Sequence, residues 1–128
     1  MADEVVARTN DARRGQGLAA LGRNAKLMRA AQIQAEQMAA ANAMAHDLPG
    51  APYPSLDARL GAVSYEAGAA GENVAEGYPS AEAAVAGWMR SSGHRANIVS
   101  PRYVEMGAGV ATSSRGRTYY AQVFGTQR

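Results

Sequence analysis

Residues 105–124 read EMGAGVATSSRGRTYYAQVF, and this stretch decides the fold class. Its two ends, 105–112 and 118–124, alternate and carry β-branched and aromatic residues, which is the pattern of strands. The polar SSRGR between them contains a glycine and reads as the loop of a hairpin. Upstream, the period changes. Within 24–44, Leu27, Ala31, Ala35, Met38 and Asn42 recur every three or four residues, the stripe of an amphipathic helix, with Asn24 as its N-cap. Pro79-Ser80 opens a helix over 81–91, with Ser80 as N-cap, Glu82 in the first turn and Val85, Trp88 and Met89 on one face. Ser92-Gly93 reads as the stop of that helix, and a turn or short helix follows to Ser100-Pro101. A first helix over 3–14 places Asp3 and Glu4 where a helix N-terminus favours negative charge, and Gly15 and Gly17 at its end. Helices first and a hairpin last make the class α+β.

Between these elements the signals are weaker. Residues 47–58, DLPGAPYPSLDA, hold three prolines and a glycine and read as an ordered surface loop. Residues 59–66 fit a short helix or strand. Residues 67–77, AGAAGENVAEG, are rich in Gly and Ala around a charged cluster and carry no clear period. At 128 residues the chain is the size of one domain, so a single unit over 1–128 is expected. Alanine supplies 29 residues, so small side chains fill much of the interior and helices pack closely.

Composition excludes several functions. Cysteine is absent, which removes disulfides, thiolate metal sites, iron–sulfur clusters and a cysteine nucleophile. The net charge is +2 and the basic residues are scattered, so no nucleic-acid partner is expected. No apolar run reaches the roughly 18 residues of a membrane span. Residues 1–14 lack the apolar region of a signal peptide, which leaves a cytoplasmic protein or one whose leader is not part of this sequence.

The chain has two histidines, His46 and His94. Each follows a candidate helix, and the plainest reading makes each an imidazolium that satisfies helix C-terminal carbonyls. Glu72, in Gly71-Glu72-Asn73, and Glu105, at the start of a strand, are the acidic residues placed near them along the chain. Ser91, Ser92 and His94 suggest a Ser/His pair, but no G-x-S-x-G elbow accompanies them. The glycines of 68–77 lack the lysine of a phosphate loop.

Taken together and in order, these residues resemble the CAP superfamily: cysteine-rich secretory proteins, antigen 5 and pathogenesis-related proteins, which share the SCP domain. The resemblance is to its bacterial, cysteine-free branch. Asn10 and Arg13 match an N-x-x-R opening, and Leu18, Leu21, Leu27 and Ala31 match the helix pattern that follows. His46 matches the histidine after the long helix, and Gly71-Glu72-Asn73-Val74-Ala75 the G-E-N signature. Trp88-Met89-Arg90-Ser91-Ser92-Gly93-His94-Arg95 matches W-M-x-S-x-G-H-R. Residues 106–110 and 120–125 match the two terminal strands.

The resemblance implies an α-β-α sandwich with a small antiparallel sheet between helical layers. It also implies a cleft lined by two histidines and two acids, which in several members binds a divalent metal. His46, Glu72 and His94 match three of those positions and are the implied metal ligands. The fourth is Ser91 here, and Glu105 is the candidate replacement. From this follows the expectation of a secreted, monomeric, non-enzymatic binding module, extracellular or periplasmic. Its cleft would take zinc or another divalent metal, or a small-molecule, lipid or peptide ligand. The alternative is a metal-dependent extracellular hydrolase of peptidase type, with Glu72 or Glu105 as general base.

Overall fold

A computed structural model describes the whole chain, Met1–Arg128. The elements run α1 (Ala2–Gly15), β1 (Gly22–Arg23), α2 (Ala25–Ala41), α3 (Leu56–Ala62), β2 (Ala67–Glu76), α4 (Ala81–Arg90), α5 (Ser92–Ile98), β3 (Glu105–Thr112) and β4 (Thr118–Gln127). The strands form one four-stranded sheet in the order β1-β3-β4-β2. β4 pairs antiparallel with both β2 and β3, and β1 adds a two-residue parallel rung beside Glu105 and Met106, so the sheet is mixed.

Alternation along the strands sends successive side chains to opposite faces. Met106, Ala108, Tyr120 and Phe124 pack under α1, α4 and α5, where Val5, Val85, Trp88 and Ile98 complete one core. Val74, Tyr119, Ala121 and Val123 face α2 and α3, where Leu27, Ala31, Met38 and Leu60 complete the other. Two cores on either side of one sheet are the α-β-α layering, and the α+β class holds.

Local chemistry explains most boundaries. The Asn24 side chain accepts a hydrogen bond from the Leu27 amide at 3.0 Å and starts α2. α2 ends at Ala41, three residues before the sequence expectation, because Asn42 adopts a left-handed conformation (φ 50°) and closes the last turn. Ser80 caps α4 through the Ala83 amide. α4 ends at Arg90, one residue before the sequence expectation, and of the turn or short helix expected after it the chain forms the helix, α5. Ser91 takes an extended conformation that ends α4 and begins α5, so Ser92-Gly93 are the first residues of the next helix. Residues 67–76, without a clear period in sequence, form β2. Their alanines and glycines are poor strand formers, and the pairing with β4 supplies the stabilisation.

Buried polar residues pin the layers together. The Asn10 amide both donates to the Leu21 carbonyl and accepts from the Leu21 amide. Separate stretches of chain converge on Arg13, which donates to the carbonyls of Ala19, Ile98 and Ser100. Asn73 donates to Gln122 and to the His94 carbonyl, and Gln122 donates to Thr9. A line of satisfied amides therefore crosses from β2 to α1 beneath the helices.

Two glycines set the spacing of α2. A Cβ on Gly107 would overlap the carbonyl carbon of Leu27 and the amide nitrogen of Met28, and one on Gly109 would overlap the backbone of Ala31 and Gln32. Helix backbone thus rests directly on strand backbone. Gly107→Ala is expected to destabilise the protein by at least about 3 kcal/mol, the upper end for overpacking, because rigid backbone cannot yield as a side chain does. Gly93→Ala meets nothing within 4 Å and is expected to be neutral or to stabilise by up to about 1 kcal/mol, since alanine is the better helix former. Urea midpoints of the two variants against the parent protein check both signs.

Candidate functional site

The site is built at the outer edge of β2, where the loop after α2 comes up from one layer and α5 comes down from the other. Glu72 points to the α2–α3 face of the sheet, and its side chain is 2 % exposed. A carboxylate so placed requires a cation. Arg59 of α3, itself fully buried, supplies it: Nη2 lies 3.0 Å from both Glu72 oxygens. The same guanidinium donates to the carbonyls of His46 and Tyr53, which ties the 42–55 loop to α3 and β2.

His46 Nδ1 lies 3.0 Å from Glu72 Oε1. That hydrogen bond raises the pKa of His46 above the ordinary histidine value, helped by the charges of Glu72 and Asp47 and opposed by partial burial and by Arg59. The imidazole is more than half exposed, with its Nε2 edge free. His94 lies in the first turn of α5, and its Nδ1 is 2.9 Å from Ser91 Oγ. Burial lowers its pKa, and the charge of the nearby His46 lowers it further. Neither imidazole satisfies a helix C-terminus. Each is oriented through Nδ1 by a side chain, and each has Nε2 without a protein partner.

Beside His94 opens a cavity of about 240 Å³. Met44, Val74, Tyr78, Trp88, Ser91 and His94 are among its lining residues. Trp88 donates its indole N–H to the Val74 carbonyl, and Asn97 donates to the Glu72 carbonyl, so two outward-facing carbonyls of β2 are held by side chains from α4 and α5. Tyr78 lies over α4 at Gly87, where a Cβ would overlap the tyrosine hydroxyl.

Glu105 is elsewhere. It lies across β4 from β2, and its carboxylate accepts from Tyr65, Asn24 and Gln127. Those bonds, Gln127 and Tyr65 foremost, hold its pKa below the ordinary glutamate value. It makes no hydrogen bond to His46, Glu72 or His94. No three histidine, aspartate or glutamate side chains form a group able to hold a metal ion by themselves. Both Glu72 oxygens hold Arg59, so the groups free to ligate are the two Nε2 atoms, with Glu72 behind His46 in the orienting position. The protein thus offers an ion two imidazole nitrogens, and water or ligand would have to fill the remaining positions of a tetrahedral zinc.

Sequence reasoning missed Arg59, Tyr78 and Asn97. A signal for Arg59 existed: a glutamate inside a Gly/Ala/Val strand needs a buried cation, and few basic residues stand in apolar settings.

The family model for cysteine-rich secretory proteins, CAP, matches residues 6–124. The uncharacterized protein YkwD of Bacillus subtilis (strain 168) is 35 % identical over 112 residues, which is 86 % of this chain and 42 % of that protein. The fold matches an extracellular SCP-domain protein of Bacillus anthracis str. Ames, with a TM-score of 0.89 and 27 % identity over 98 % of this chain and 40 % of that one. It also matches an outer surface protein of Borrelia burgdorferi, at TM-score 0.87 and 16 % identity over 98 % of this chain and 92 % of that one. The chain thus spans about two fifths of the length of the two Bacillus proteins.

Two measurements test the geometry. In a proton NMR titration, His46 is expected to titrate above about 6.5 and His94 below it. Glu72→Gln is expected to bring His46 down; the reverse order of the two rings would contradict the arrangement. The stability contributed by the His46–Glu72 pair is present below about pH 6.5 and fades as the pH rises through the raised folded-state value. Arg59→Met leaves the Glu72 carboxylate buried without its cation and is expected to cost about 3–5 kcal/mol by urea denaturation.

Proposed function

This chain belongs to the cysteine-rich secretory protein (CAP) family, and on that premise we propose that it is an extracellular binding module whose cleft is formed by His46, Glu72 and His94. The observation that carries the reading is the side-chain-oriented imidazole of His94 in the wall of a largely apolar cavity, with a second oriented imidazole, His46, near enough for its charge to act on it. Such a combination binds a ligand with one polar donor and one apolar portion. The cavity, at about 240 Å³, is smaller than the roughly 300–1,000 Å³ of a drug-sized pocket, so it suits a side chain or short acyl segment of a peptide or lipid. The extracellular placement is supported by the Bacillus anthracis relative, described as extracellular, and no helix here is long and apolar enough to cross a membrane.

Zinc is the divalent ion that two neutral imidazoles suit well. His46 and His94 would hold it through Nε2, with Glu72 orienting His46. The ion would supply an electrophilic anchor for the ligand's donor atom. Hydrolysis is the weaker reading. A general base needs a free carboxylate, and the oxygens of Glu72 and of Glu105 are already engaged by Arg59 and His46, and by Tyr65, Asn24 and Gln127.

Calorimetric titration with zinc tests the cleft. Binding is expected about one pH unit above 6.5 and is lost about one unit below it, because a protonated imidazole cannot ligate. His46→Ala and His94→Ala are each expected to abolish it, and Glu72→Gln to weaken it by about 10–100-fold. Zinc binding that survives both histidine variants would remove the metal from this site.

A further inference from the structure

The outer edge of β3 is closed by an unusual series of partners. β1 covers only its first residues: the carbonyls of Val104 and Met106 accept from the amides of Gly22 and Asn24. Beyond that no strand follows. Instead the Ala108 amide donates to Met28 Sδ at 3.2 Å. The Val110 amide donates to Gln32 Oε1 and the Val110 carbonyl accepts from Gln32 Nε2, both at 3.0 Å. A primary amide reproduces the donor and acceptor of a peptide group, so Gln32 offers Val110 what a neighbouring strand would offer.

The spacing is matched. Asn24, Met28 and Gln32 are four residues apart on or at the start of α2, a rise of about 6.0 Å per step. Their partners Met106, Ala108 and Val110 are two apart on β3, a rise of about 6.6–6.8 Å per step. Helix and strand therefore advance almost in register. The reach is possible only because Gly107 and Gly109 let the α2 backbone rest on β3. Glu36, one further step along, holds Gln32 through a bond at 3.0 Å and places a charge at the end of the edge.

We propose that Met28 and Gln32 act as a side-chain strand that blocks addition of a second copy of this chain to β3. An open edge presents unpaired amides and carbonyls that template pairing, and a two-fold antiparallel β3–β3 contact is the simplest closed outcome. The device keeps the cleft-bearing unit monomeric without lengthening β1.

Gln32→Ala removes the surrogate, and sedimentation equilibrium across a concentration series, with amide hydrogen exchange on the same samples, reads the consequence. The parent protein is expected to be monomeric with a slowly exchanging Val110 amide. The variant is expected to exchange that amide about tenfold faster when dilute. On concentration it dimerises, and the Val110 and Thr112 amides become protected. Adding Thr112→Lys, a charge on the exposed edge, is expected to restore the monomer. Should Gln32→Ala fail to fold, Gln32→Ser, too short to reach the strand, carries the same test. A folded variant that stays monomeric at every concentration overturns the proposal. So does a dimer in which the Val110 amide exchanges freely, or one that Thr112→Lys leaves intact.

Discussion

The buried ion pair between Arg59 and Glu72 is the constraint on which the site depends. Two charges out of water are tolerated only when each satisfies the other. Here one guanidinium does more than neutralise a carboxylate. It grips β2 through Glu72, the proline-rich loop through two carbonyls, and belongs itself to α3. The loop of 42–55 has no regular structure apart from turns, and its place against the sheet comes from these bonds together with those of Gln34 and Gln37 to the carbonyls of Ala45 and Tyr53. His46 is positioned twice over, by its own carbonyl on Arg59 and by its ring on Glu72. The arrangement carries a cost, since Arg59 Nε is buried without a hydrogen-bond partner.

The fold is readable in the sequence wherever local chemistry dominates. Asn24 and Ser80 announce helix starts because their side chains compete for the first free amides, and both do so in the structure. The hairpin of 105–124 announces itself through Val, Tyr, Thr and Phe at alternating positions. β2 is not readable, for the opposite reason. Its residues have little preference for strand, and partners far along the chain at 119–127 decide its conformation. The stop near Ser92-Gly93 is readable to within a residue, whereas the choice between a turn and a short helix after it rests on tertiary packing of Ile98.

The site divides in the same way. The family pattern names His46, Glu72 and His94, and the structure puts a hydrogen bond between the first two and places the third where His46 influences its titration. Glu105 is a candidate only through its place in sequence, which says nothing about where its side chain goes. The strand register sets it across β4, among Tyr65, Asn24 and Gln127. Ser91 stands at the position where the resemblance implies an acid. It orients an imidazole through a neutral hydroxyl, so His94 gains no nearby negative charge, and its pKa moves in the opposite direction from that of His46.

Trp88 is the sole tryptophan of the chain, is almost wholly buried, and is fixed by its bond to the Val74 carbonyl. Its ring also forms part of the cavity wall next to His94. The indole is thus an optical reporter in the wall of the cavity proposed to take a ligand. Its emission responds to the polarity and charge at its edge, and no second indole dilutes the signal. A library of candidate ligands can be screened on the unlabelled protein by intrinsic fluorescence alone, each molecule read by the residue it would displace water from.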